Sequence, residues 1–227
     1  MTSATTTVRK RYDAFAPEYD RWDAEHRSVA DHRRTLLRHL RGKILEVGIG
    51  TGLDLPRYGK NADVVACDIS GRMLGKSAMR LSKMGEHQVK LVKMDAQKLM
   101  FLDGTFDVVV GMFLFCSVDD PGKVAREIKR VLKPGGQLVT LGYHSERVVP
   151  VLRRAGLKII STKEWPSGDR PIGQIIAERA PIANLPTARR PGRVEASPVV
   201  SDRKQMKTRR NKSATGAAPV MVPHPDR

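Results

Sequence analysis

Cysteine is scarce in this chain. Only Cys67 and Cys116 occur in 227 residues, too few for a disulfide framework. Both fall in or just after apolar stretches that read as core strands. They read as small buried hydrophobes of a reducing compartment, with Cys116 also placed to line a cleft. Long apolar runs are missing as well. The longest nearly unbroken one, Val108–Cys116, falls far short of the ~18 residues that span a bilayer. No apolar leader segment opens the sequence, so the expected location is cytoplasmic. No set of Cys and His has metal-ligand spacing. Acidic residues are few relative to basic ones, 24 against 41, giving a net charge of +17. Such a surface attracts anions: nucleic acid, acidic lipid headgroups or acidic metabolites. Plain solubility explains the charge better than any one specific partner.

What the chain does have is enough apolar sequence, 40 %, to bury the core of one domain with an appendage. Three regions are expected. Residues 1–41 read as a helical cap, with Leu36, Leu37 and Leu40 at helical spacing. Residues 42–180 alternate between strand and helix. Strands are expected at Lys43–Val47, Val64–Ser70, Val89–Met94, Phe106–Gly111, Gln137–Leu141, Lys158–Lys163 and Gln174–Glu178. Helices are expected at Ser70–Met84, Pro121–Val131 and Arg147–Ala155, the second with Pro at its start and Val124, Ile128 and Val131 on one face. This alternation predicts an α/β fold, a parallel sheet covered by helices on both faces. The last two strands have no helix between them and should pair antiparallel. Residues 181–227 carry ten Lys and Arg against three Asp and Glu, lose all apolar periodicity, and read as a disordered basic tail.

The most informative run is Ile44-Leu45-Glu46-Val47-Gly48-Ile49-Gly50-Thr51-Gly52. A glycine-rich turn after a first strand lets backbone approach a nucleotide closely, because no Cβ intervenes. A dinucleotide fingerprint, G-x-G-x-x-G, would need glycine where Leu53 stands. Asp68 follows Gly48 by twenty residues, about where such folds place a carboxylate that accepts hydrogen bonds from ribose. The run resembles the E-x-G-x-G-x-G signature of class I S-adenosylmethionine-dependent methyltransferases. Four further segments resemble the same family in the same order: Asp68-Ile69-Ser70 with Met73-Leu74, Met94-Asp95-Ala96, Phe106-Asp107-Val108-Val109, and the turn Lys133-Pro134-Gly135-Gly136. The resemblance covers roughly residues 8 to 180. It implies a Rossmann-like, doubly wound sheet of seven strands with the last reversed, and S-adenosylmethionine as cofactor.

The resemblance also implies roles. Gly48, Gly50 and Gly52 would pass beneath the ribose and methionine moieties, and Glu46 would sit near the amino group, directly or through water. Asp68 would bind the ribose diol; a helix N-cap is its rival role, which Ser70 can fill instead. Ile69 and Met73 would sandwich the adenine, although core packing explains Met73 equally well. Asp95 and Ala96 would contact the adenine edge, against a plain surface turn for Asp95. Met112 and Phe113 would lie near the reacting methyl, with core packing the rival for both. Tyr12–Asp20 resembles the A-x-x-YD segment of ubiquinone-biosynthesis-type (methyltransferase type 11-like) enzymes, which folds over the cofactor, so Tyr19 would close the methionine end. The rival is an amphipathic helix with aromatics in the core. His144 and then Tyr143, after the fifth strand, are the candidates for a catalytic base.

Only five residues, Gly142–Glu146, separate the fifth strand from the next helix. The acceptor site is therefore expected from the N-terminal helices and the loop after strand four, open or completed by a second subunit in a homodimer. The acceptor is expected to be a small molecule or a lipid headgroup. Ile44–Tyr58 and Met94–Ala96 resemble bacterial phosphatidylethanolamine N-methyltransferases, and Cys116–Glu127 resembles alkyl-thiol methyltransferases. Cationic residues suit an enzyme held peripherally on anionic membrane. The alternative is a nucleic-acid methyltransferase tracking phosphates with Arg203–Lys212. Against it, Met112-Phe113-Leu114-Phe115 replaces the N/D-P-P-Y/F motif that would face a flipped base.

Overall fold

A computed structural model describes residues 3–21, 27–59, 62–85, 88–143, 145–167 and 171–181. They belong to one compact unit, Met1–Ile182. The tail proposed from residue 181 onward lies outside the described residues except for Pro181.

Seven strands form one sheet: β1 (Lys43–Val47), β2 (Asp63–Asp68), β3 (Val89–Lys93), β4 (Phe106–Met112), β5 (Leu132–Tyr143), β6 (Leu157–Trp165) and β7 (Ile172–Arg179). Their order is β3-β2-β1-β4-β5-β7-β6. β1 to β5 are parallel, and β7 runs antiparallel to both β5 and β6. β1 and β4 are buried along nearly their whole length, as befits mostly apolar strands covered on both faces.

The helices are α1 (Ser3–Phe15), α2 (Arg27–Leu37), α3 (Gly71–Leu81), α4 (Pro121–Val131) and α5 (Ser145–Arg154). Local chemistry sets their starts. Ser70 caps α3 by accepting a hydrogen bond from the Met73 amide at 3.1 Å. Asp120 caps α4 through the Lys123 amide at 2.9 Å, with Pro121 in the first turn. α4 and α5 bury Val124, Ala125, Ile128, Val131, Val148 and Leu152 against one face of the sheet. On the other face lie Val29 and Leu37 of α2, together with Leu74 and Leu81 of α3.

Two expectations need correction. The helix–strand alternation is incomplete: among the described residues, the segment between β1 and β2 holds only a 3-10 turn, Leu55–Arg57, and the segment between β3 and β4 holds no helix. α2 packs against this turn. The Lys133–Gly136 turn, expected ahead of a short strand, is a bulge inside the longer β5. Phe106 pairs with Leu132 and Val108 with Gln137, so 133–136 loop out opposite Asp107, with Gly135 at φ +78°.

The chain reverses direction across the sheet between β1, which leads outward to β2, and β4, which leads to β5. Parallel α/β sheets open a crevice at the carboxyl ends of the strands there. The glycine loop and the segment after β4 flank it.

Candidate active site

The loop after β1 is built by left-handed glycines: Gly48, Gly50 and Gly52 have φ of +77°, +60° and +80°. Their surroundings differ. A Cβ on Gly52 would come within 2.9 Å of Leu55 and 3.1 Å of the Ser77 backbone. Gly52 thus serves close packing of the loop on α3. A Cβ on Gly48 would approach Leu114 at 3.2 Å. Gly50 is open: its nearest neighbour would be the Tyr19 ring, 4.0 Å away. Backbone is bared to the crevice at Gly50.

Asp68, at the end of β2, fixes this loop. One carboxylate oxygen accepts the Gly50 amide at 2.9 Å and the other accepts the Ser70 amide at 2.8 Å. Burial raises its pKa, opposed by these backbone bonds. Ser70, not Asp68, is the helix cap. Ile69 beside it is partly buried, and Met73 is fully buried.

Glu46 is completely buried, which removes its reading as an exposed strand-end carboxylate. It accepts a hydrogen bond from the Tyr58 hydroxyl at 2.8 Å, while its Oε1 has no hydrogen-bond partner among the described residues. Burial, then the neighbouring Asp54 carboxyl, pushes its pKa well above the usual carboxylate range. Asp54 is paired with Arg33 of α2 at 3.5 Å, both buried. The Arg33 guanidinium also lies over the Phe113 ring, 5.3 Å from its centroid. An open cradle at Gly50 and an orphaned, buried acceptor on Glu46 two residues before Gly48 suit an adenosyl ligand carrying an ammonium group. The residues present therefore fit S-adenosylmethionine.

The N-terminal segment is latched over this loop. Asp20 accepts hydrogen bonds from the Thr51 hydroxyl at 2.5 Å and from Arg80 at 2.8 Å. Asp13 accepts the Ser70 hydroxyl at 2.6 Å and the Arg72 amide at 3.3 Å. Lys76 reaches the Pro17 carbonyl at 3.2 Å. Tyr19 is thereby held opposite Gly50, its ring edge-on to Phe15. α1 also carries Tyr12 to the loop after β4, where its hydroxyl meets Ser117 beside Cys116 and burial raises its pKa.

Asp95 shapes its own turn, accepting the Gln97 amide at 2.9 Å. Ala96 packs on the core, and the Gln97 side chain bonds Thr5 of α1 at 3.1 Å. Met112 is buried at the end of β4. Phe113 follows with φ +54°, a conformation that a bulky residue rarely holds, fixed by its amide on the Leu141 carbonyl at 2.6 Å. Its ring meets Tyr143 edge-on, with centroids 5.2 Å apart. His144 lies outside the described residues, as does His26. His32 stacks on Trp165, with ring centroids 4.0 Å apart.

The structure thus brings together Tyr19, Glu46, the three glycines and Asp68, while Met112, Phe113 and Tyr143 gather at the ends of the neighbouring β4 and β5. Sequence reasoning gave no role to Arg33, Asp54 or Tyr58, and none of their own to Asp13 and Asp20 within the Tyr12–Asp20 segment. For Arg33 a signal existed: it lies at four-residue spacing between Val29 and Leu37, a base on the apolar stripe.

Comparison with known proteins agrees with this geometry. The family described as "Methyltransferase domain" matches residues 45–140. A phosphatidylethanolamine N-methyltransferase of Cereibacter sphaeroides is 36 % identical over 165 residues, 68 % of this chain and 81 % of that protein. A ubiquinone/menaquinone biosynthesis C-methyltransferase of Idiomarina loihiensis is 38 % identical over 107 residues, 44 % of this chain and 42 % of that protein, so less than half its length is spanned. Among solved structures, Haemonchus contortus phosphoethanolamine N-methyltransferase 2 in complex with S-adenosyl-L-methionine superposes with a TM-score of 0.58 at 14 % identity, over 67 % of this chain and 52 % of that one. The glycine loop, the carboxylate after β2, the reversed seventh strand and these relatives converge: the chain belongs to the class I methyltransferases that use S-adenosylmethionine.

Proposed function

We propose that this methyltransferase alkylates the amine nitrogen of a lipid headgroup. The observation that carries this reading is the reach of the match to the Cereibacter protein, 81 % of its length, against 42 % for the carbon-methylating Idiomarina protein. S-adenosylmethionine, when bound, supplies an electrophilic methyl group on a sulfonium leaving group. The chain's residues hold and orient. The glycine loop, Asp68 and Glu46 would hold the cofactor, with Ile69, Met73, Asp95 and Ala96 around its adenine and Met112 and Phe113 facing its reactive end. The latched N-terminal segment, with Tyr19, would keep water from the crevice. No nucleophile on the enzyme is required, because well-organised positioning alone can contribute ~7–11 kcal/mol. An ammonium acceptor must lose a proton before its lone pair is available; Tyr143 and His144, at and just beyond the end of β5, are the proposed proton-accepting groups. A homodimer that completes the acceptor site and a peripheral membrane location remain part of this proposal. No helix among the described residues is long and apolar enough to cross a membrane.

The test is transfer of isotopically labelled methyl to vesicles containing phosphatidylethanolamine, to a demethylated quinone and to RNA, in parallel. Label on the phosphatidylethanolamine nitrogen is expected. Label on the quinone or RNA with none on the lipid amine would overturn the reading.

A further inference from the structure

Four polar side chains meet in one dry cluster. Glu46 comes from β1, Asp54 and Tyr58 flank the 3-10 turn, and Arg33 comes from α2, which packs on that turn. All four are buried, Glu46 completely. The residues paired with Glu46 across the sheet, Ala66 and Val110, bring no polar side chain. The Tyr58 hydroxyl donates to Glu46 at 2.8 Å, and Arg33 donates to Asp54 at 3.5 Å. The Glu46 and Asp54 carboxyls lie within hydrogen-bonding reach of each other. While both are ionised neither can donate, and Glu46 Oε1 has no donor among the described residues.

Charge does not balance in this cluster while both carboxyls are ionised. Two carboxylates then face one guanidinium in a space closed to water, and one negative charge is left over. Tyr58 and Cys67 of β2, the other titratable groups against Glu46, supply no positive charge. Burial pushes the pKa of each up and keeps both neutral. Two arrangements of the cluster are neutral. In one, the carboxyls share a single proton, which also supplies the hydrogen that their contact lacks. In the other, both are ionised and a second cation stands beside Glu46. S-adenosylmethionine carries such a cation, the α-ammonium of its methionine part.

We propose that Glu46 and Asp54 hold one proton between them, with Arg33 fixing Asp54, and that the pair releases this proton to solvent as the cofactor's ammonium seats beside Glu46. Asp54 is thereby a positioning residue of the cofactor site, acting through Glu46. The step breaks only the O–H bond of the shared proton, and the cluster is neutral before and after it. The inference rests on the cofactor and holds whichever acceptor is methylated. Its consequence is that affinity for S-adenosylmethionine rises with pH, because a site that loses a proton on binding does so more readily as protons become scarce.

The test counts protons and needs no methyl transfer. Isothermal titration calorimetry is run on the full chain at about pH 6, where the ligand's own α-amino group, with an ordinary pKa of about 7.7–8.0, is already charged. MES and bis-tris buffers differ in ionisation enthalpy, so the difference in heat gives the protons released. Release of about one proton is expected with S-adenosylmethionine, and the same with S-adenosylhomocysteine, which carries the same ammonium. Methylthioadenosine keeps the adenosine and the thioether but has no ammonium, and should bind without release. Between about pH 5 and 6.5 the Kd of S-adenosylmethionine should fall by up to about tenfold per pH unit, and that of methylthioadenosine should stay level. Asp54→Asn and Glu46→Gln each leave a single carboxyl facing Arg33. Each should bind S-adenosylmethionine with no proton released and a level pH profile, whatever its affinity. A merely structural Asp54 would weaken binding in Asp54→Asn and leave the proton count unchanged, and that result overturns the proposal. Should a variant unfold, the ligand series on the wild type decides. Binding of S-adenosylmethionine without proton release, or equal release with methylthioadenosine, overturns the proposal.

Discussion

Replacing Gly50 and Gly52 each by alanine should separate cofactor binding from folding. Both residues lie in the left-handed region, at φ +60° and +80°. An L residue there costs about 1–2 kcal/mol. At Gly50 that strain is the whole folding cost, because the added methyl would meet nothing closer than the Tyr19 ring at 4.0 Å. At Gly52 the methyl would press on Leu55 at 2.9 Å and on the Ser77 Cα at 3.1 Å. The second contact is helix backbone and cannot rotate away, so α3 must shift, adding about 1–3 kcal/mol. At roughly 2–4 °C per kcal/mol for a domain of this size, Gly50→Ala should lower Tm by about 2–8 °C and Gly52→Ala by about 4–20 °C. Affinity should follow the other order per degree lost. The Gly50 methyl intrudes on the open side of the loop and should weaken S-adenosylmethionine at least about tenfold, a loss of about 1.4 kcal/mol. Differential scanning fluorimetry and isothermal titration of S-adenosylmethionine into the folded variants provide both measurements. A wild-type Kd for Gly50→Ala, or equal melting temperatures for the two variants, would refute the division of labour between these glycines.

Two further outcomes are expected. Glu46 has a folded-state pKa raised above its ordinary 4.5 by burial and by Asp54. The native state therefore binds the extra proton, and stability falls as pH rises from about 4.5 toward the folded value. Glu46→Gln keeps an acceptor for Tyr58 and removes the titration, so urea midpoints should fall over that range in the wild type and stay level in the variant. A wild-type profile flat from pH 5 to 8 would contradict the burial argument. Asp20→Ala releases Thr51 and Arg80 from the N-terminal segment. The ion pair is partly exposed and worth about 0–1 kcal/mol, so Tm should move little. The dissociation rate of S-adenosylmethionine in stopped flow should nevertheless rise about tenfold, and an unchanged rate would show that the latch does not cover the ligand.

Much of this was legible in the residues. The α4 boundaries follow from Asp120, Pro121 and the Val124–Ile128–Val131 face, all local signals. The glycine loop and Asp68 were readable because each depends on backbone geometry that only certain side chains permit. The Lys133–Gly136 turn leads into strand as expected, but that β5 begins ahead of it at Leu132 depends on the facing register of Phe106 and Val108. Arg33 is marked in the sequence only by its place on the Val29–Leu37 stripe of an arginine-rich helix, while Asp54 carries no local signal, because packing alone brings Arg33 and Glu46 to it.

The sequence by itself determined the order of strands and helices, the shape of the first loop and the kind of ligand it suits, because these rest on periodicity and on glycines without Cβ atoms. Tertiary structure decided which charges share a buried environment and how the N-terminal aspartates latch onto α3 and the glycine loop. Those features join residues dozens of positions apart. The energies that fix them come from burial and hydrogen-bond partners that no local stretch of chain contains.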